Sequence, residues 1–197
     1  MWPALTRGDA PFMPAIGFLL AVALPFTAPA TSNVAPCLWS AMPPFKEQVI
    51  SAPDFRAFDE LRRQYPDSDW TLAFKRCGLD EEKDAAAAGP LAYYESSLWA
   101  ERRLADKWPA ATLEAAVDAI PERDLGYFWR QPAPDKRTPD YEKKRLKALE
   151  KLYTPFGRAG PVQPLDDLDI FITSRVGWRL GEIYYRKARA APTAPAR

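Results

Sequence analysis

Proline occurs 21 times among 197 residues, about double its usual share, and no other feature of the chain constrains its fold as strongly. Each proline fixes φ at about −65° and removes a backbone donor, so it is accepted in the first turn of a helix and ends a helix that it interrupts. Helices must therefore be short and fit between prolines. A hydrophobic content of 47% is sufficient for one packed domain. The predicted class is mainly α: a small irregular helical domain with short Pro-bounded helices and extended connections.

Charge divides the chain differently. From Ala10 through Phe45 there is no charged side chain, whereas 27 basic and 26 acidic groups occupy the remainder. The apolar centre, residues 12–26, leaves water at little cost and points to a translocon or a bilayer. Arg7 lies upstream, and Ala28-Pro29-Ala30 has the small-x-small pattern of a signal-peptidase site. The proline-free piece from Ala15 to Leu24 is well short of the roughly 20 residues of a membrane span. Residues 1–30 are read as a signal peptide or membrane-attachment segment, and residues 31–50 as a Pro-rich neck. The helical domain is expected over residues 51–189, with an aromatic loop near 127–139, and residues 190–197 are expected to form a flexible tail. The expected location is a membrane-associated or exported compartment.

Within the domain, Ser51-Ala-Pro-Asp54 opens a helix toward Tyr65, and Gly78 ends a second one running from Asp69 to Cys77. Leu91, Tyr94, Leu98 and Ala105 recur at helical spacing after Pro90, and Leu113, Ala116, Val117 and Ile120 do so after Pro109. Thr138-Pro139-Asp140 starts a basic amphipathic helix. Leu165 to Thr173 reads as helix in preference to strand, and Ser174 to Ala188 resumes the pattern. Gly177 and Gly181, four residues apart, suit a close helix approach.

Catalytic motifs are scarce. The chain contains no histidine, which excludes an internal Ser-His-Asp triad, a Cys-His pair and His-based metal ligation. No GxGxxG or GxxxxGK[ST] run appears, so neither a cofactor nor a metal is predicted. Asp166, Asp167 and Asp169 are the best carboxylate cluster, with first-turn helix acids as the ordinary reading. Cys37 and Cys77 form a candidate disulfide in an exported chain, closing a loop of about 40 residues.

Surface chemistry points to partners. Tyr127, Phe128, Trp129 and Arg130 read as an aromatic attachment arm that fits a protein groove. Lys143, Lys144 and Lys147, with Arg145 and Lys151, form the densest basic segment, where Leu146, Leu149 and Tyr153 add apolar contact toward an anionic membrane surface. Glu142 and Glu150 give the same helix an ordinary solvated-face reading. A net charge of +1 disfavours nucleic acid as a partner. The expected function is that of a noncatalytic structural or interaction protein, an accessory component of a membrane-associated assembly. The alternative is an exported enzyme built around Asp166 and Asp169.

Overall fold

Prolines stand at the starts of helices, as their fixed φ and missing donor dictate. Pro44 precedes α2 (Phe45–Ile50), Pro66 precedes α4 (Asp67–Arg76), Pro109 precedes α6 (Ala110–Asp118), and Pro139 is the first residue of α8 (Pro139–Tyr153). The computed structural model describes residues 33–129 and 138–190, and among these no strand occurs. The remaining helices are α1 (Val34–Ala41), α3 (Phe55–Arg62), α5 (Ala88–Leu104), α7 (Glu122–Trp129) and α9 (Asp167–Ala190). The mainly α prediction holds.

The centre of the molecule is the packing of α5 on α9. A Cβ at Gly177 would lie 2.8 Å from the Tyr93 ring, and one at Gly181 would lie 3.1 Å from Pro90, so these glycines permit the close approach. The resulting core contains Leu91, Trp99, Leu104, Phe171, Ile172 and Val176, all nearly inaccessible to solvent. The Trp99 indole N–H donates to the Ala52 carbonyl at 2.9 Å, fixing the link between α2 and α3 across this core. The segments read separately as 165–173 and 174–188 are one helix, because Ser174 sits within a continuous buried face from Leu168 to Tyr185.

The segment expected to be a Pro-rich neck is a structural part of the domain. From Val34 onward it forms α1 and α2, burying Val34, Ala35, Leu38, Met42 and Val49. Pro36 falls in the first turn of α1, where its missing N–H has no intrahelical role. Cys37 and Cys77 are disulfide-bonded, with Cα atoms 5.9 Å apart, and so join α1 to the end of α4. Helix α4 ends at the left-handed Gly78, φ 66°, as the sequence indicates.

Two further boundaries differ from expectation. The cap of α3 is Asp54, which accepts from the Ala57 amide at 2.8 Å, while the Ser51 hydroxyl bonds the Glu47 carbonyl. The expected aromatic loop begins inside a helix, since Tyr127 and Phe128 belong to α7. Pro121 ends α6 and, followed by Glu122 and Asp124 in the first turn, starts α7. Among the described residues no helix is long and apolar enough to cross a membrane. The expected attachment segment 1–30, Arg130 and the tail beyond Ala190 lie outside the described residues.

Candidate functional site

Helices α7 and α8 pair in antiparallel register. Asp124 faces Lys151 at 3.5 Å near one end, and at the other the Tyr141 hydroxyl donates to the Tyr127 carbonyl at 3.2 Å. The Tyr127 and Tyr141 rings also meet, with centroids 5.7 Å apart. Leu125 on α7 and Ala148, Leu149, Leu152 and Tyr153 on α8 are buried beneath this pair. Burial of these apolar positions leaves the opposite stripe of α8, where Lys144, Lys147 and Lys151 follow i, i+3, i+7 spacing, facing solvent and α7.

Between the helices lies a cleft of about 400 Å³. Lys144, Lys147, Lys151 and Ala148 line it from α8, and Arg123, Asp124 and Tyr127 from α7. Four of the seven lining residues are cations and one is an acid, so the cleft attracts anions. Asp124 is shared between Arg123 at 3.6 Å and Lys151 at 3.5 Å, which leaves neither cation fully neutralised. The Lys144 ammonium bonds Asp140 at 2.6 Å and stands 5.8 Å from the centre of the Tyr127 ring. The Asp140 hydrogen bond holds Lys144 above the ordinary lysine range, so it is cationic. Lys147 has no ion pair among the described residues, which leaves it available to an incoming carboxylate.

The structure therefore brings Tyr127, Lys144 and Lys147 together at one site. Lys143 is exposed on α8 but does not line the cleft. Phe128 is half-buried against the hydrophobic core, so it is a packing residue and not part of an exposed arm. Trp129 is the last residue of α7, and its side chain, like all of Arg130, falls outside what is described. Leu149 and Tyr153, expected to support membrane contact, are in the core, leaving Leu146 as the exposed apolar residue of that set. Arg123 and Asp124 escape a reading by sequence clusters. Their signal is the four-residue spacing of Arg123 and Tyr127 on a helix whose start, at Pro121-Glu122, is written in the sequence.

The aspartate cluster has a different role. Asp169 is fully buried and accepts from the Arg158 guanidinium at 2.8 Å and from the Val162 and Asp166 amides, each at 3.1 Å. Asp166 accepts the Asp169 amide at 3.0 Å and the Arg158 guanidinium at 2.9 Å, while Asp167 pairs with Arg103 at 3.0 Å. Burial pushes Asp166 up, but the Asp169 amide and Arg158 outweigh it and hold the carboxyl below its ordinary range. Asp166 and Asp169 cap α9 and fix the preceding loop, and both oxygens of each are occupied by these bonds. Among the described residues no cluster of acids or cysteines is placed to hold a metal.

One buried acid has no such partners. Glu95 on α5 is fully buried beside the Tyr65 hydroxyl, and it makes no ion pair among the described residues. Burial pushes Glu95 up to about 8, an effect only partly offset by Arg62 and Tyr65. Tyr65 is raised as well, by its own burial first and then by the adjacent Glu95. Neither residue lines the α7–α8 cleft, and because that cleft gathers Tyr127, Lys144 and Lys147 it is the candidate for function. Compared with known proteins, the chain matches no family model, no curated protein and no solved structure.

Proposed function

We propose that the protein is a noncatalytic interaction protein, an accessory component of a membrane-associated assembly, and that it holds an acidic segment of a partner protein in the α7–α8 cleft. The observation that carries this reading is the convergence of Arg123, Lys144, Lys147 and Lys151 around Tyr127 with Asp124 as the lone acid in the lining. Charged groups in a concave site focus their field and give specificity to the encounter, and a tyrosine wall adds contact area at small entropic cost. The membrane association rests on the charge-free run from Ala10 to Phe45. The enzyme reading at Asp166 and Asp169 draws no support from their geometry, because both carboxylates are engaged in fixing α9.

The test is a full-length chain carrying Lys144→Glu, Lys147→Glu and Lys151→Glu. Native-size analysis of the membrane fraction should show the variant released from its assembly, with its thermal midpoint close to that of the parent. An unchanged assembly size in a folded variant would refute the reading.

A further inference from the structure

Two acids of the chain already hold cations of the α7–α8 cleft, and they hold them differently. Asp140 bonds Lys144 at 2.6 Å from one turn earlier on the same helix. Asp124 comes from the facing helix and stands 3.5 Å from Lys151 and 3.6 Å from Arg123. Both separations exceed an ordinary hydrogen bond, so Asp124 is held by charge attraction alone and is the more easily displaced of the two acids. Lys147 lies between Lys144 and Lys151 on the lining stripe of α8 and has no ion pair among the described residues.

Lys147 and Lys151 are one helical turn apart, about 6 Å along the axis of α8. An open cation and a weakly occupied one therefore stand side by side at the mouth of α7. A single incoming carboxylate takes Lys147 and leaves the Asp124–Lys151 pair as it is. A second carboxylate, one turn away, reaches Lys151 only by replacing Asp124.

We propose that Asp124 is an internal counter-ion that occupies Lys151 until a partner displaces it, and that the partner does so with two carboxylates about 6 Å apart, one on Lys147 and one on Lys151. This rests on the reading of the cleft as a site for an acidic segment, and it adds the spacing of the acids and the contact they exchange for. Replacing one exposed ion pair by another yields little, so Asp124 lowers the affinity for every ligand that needs Lys151 and leaves isolated acids on Lys147 alone. Position in the first turn of α7 is the ordinary role of such an acid, and the experiment separates the two.

The experiment uses the full chain and end-capped helical peptides of Ala and Gln that carry either one Glu or two Glu four residues apart, titrated at low ionic strength and followed by NMR. The parent should bind the two-Glu peptide more tightly. Asp124→Asn should tighten the two-Glu peptide roughly threefold to fivefold and leave the one-Glu peptide unchanged, with the gain fading as salt is raised. Glu150→Gln removes the same charge from an exposed position beside Lys151 but outside the lining, and should change neither peptide. Lys151→Met should bring the two-Glu peptide down to the affinity of the one-Glu peptide.

Equal tightening of both peptides by Asp124→Asn, or equal effects of Asp124→Asn and Glu150→Gln, would show a general field effect; this overturns the inference and leaves the cleft as an acidic-segment site. A lower thermal midpoint with unchanged affinities would assign Asp124 to the start of α7 and overturns it equally. Failure of both peptides to bind the parent and Asp124→Asn overturns the cleft reading as well. Preference for phosphatidylserine vesicles over the two-Glu peptide would assign the lysines to lipid, and this too overturns the inference.

Discussion

Glu182, near the end of the long C-terminal helix, accepts a hydrogen bond of 2.8 Å from the backbone amide of Ala35, 147 residues earlier. The same carboxylate takes the Val34 amide at 3.0 Å and the Trp178 indole N–H at 3.1 Å. Helix α1 has no side-chain cap of its own, so α9 supplies the missing acceptor, and the negative charge suits the positive end of α1. Glu182→Ala leaves two buried amides unsatisfied and should cost about 3 kcal/mol in urea unfolding, whereas Glu182→Gln, which keeps one acceptor, should cost about 1 kcal/mol. Similar losses from the two variants would show that the carboxylate does not cap α1.

Glu95 makes stability depend on pH in the direction opposite to that of a salt-bridged acid. Its carboxyl in the folded protein is pushed up to about 8, above the ordinary value of 4.5, so the folded state holds the proton more tightly. The contribution is fully present below about pH 4.5 and is lost as pH rises toward 8, a change on the order of 4 kcal/mol. Urea midpoints measured from pH 5 to 8 should fall in the parent. In Glu95→Gln, which preserves the shape without titrating, this decline should be nearly absent.

The bridge between Cys37 and Cys77 closes a loop of 40 residues. Chain-entropy arguments give such a bridge about 4 kcal/mol of stabilisation through the unfolded state. The double variant Cys37→Ala, Cys77→Ala should lose close to that amount. Its amide exchange should accelerate first in α1, which the bridge joins to α4. Uniform acceleration across α5 and α9 would contradict this order.

Two glycine-to-alanine changes should have opposite signs. Gly177→Ala brings a methyl to 2.8 Å from the Tyr93 ring and should destabilise by about 1 to 3 kcal/mol, since the ring sits between α5 and α9. Gly126→Ala meets open space in a helix and should stabilise by about 1 kcal/mol. Thermal unfolding of both variants provides the check.

What could be read in advance was local. Thr138-Pro139-Asp140 announced α8, and the Thr138 hydroxyl accepts the Tyr141 amide at 3.2 Å. Leu113, Ala116, Val117 and Ile120 are buried as their spacing requires. The lack of charge before Phe45 obscured a helical repeat in plain view: Val34, Leu38 and Met42, each four residues apart, face the core. Pro121 with Glu122 and Asp124 carries the marks of a helix start, but it also follows Ile120, where the preceding helical pattern stops, and the aromatic run from Tyr127 reads as a loop although it belongs to α7.

The site was legible only in part, because clefts are made by partners far apart in the chain. The lysines of α8 were visible as a basic run, yet which of them face α7 depends on Leu149 and Leu152 turning the helix toward the core. Asp169 shows the same limit. Its charge is written in the sequence, but its burial depends on Arg158 and on two amides that fold brings to it.

The early start of α1 limits how far the domain can stand from anything residues 1–30 attach to. A neck of residues 31–50 would have been a leash of about 70 Å at full extension. With Val34 already in α1 and its amide held by Glu182, the slack between Ala30 and the folded body is three residues, about 10 Å. Any attachment through residues 1–30 would then reach the domain over a short connection and not over a neck of twenty residues. A processed chain would keep scarcely any overhang before its first helix.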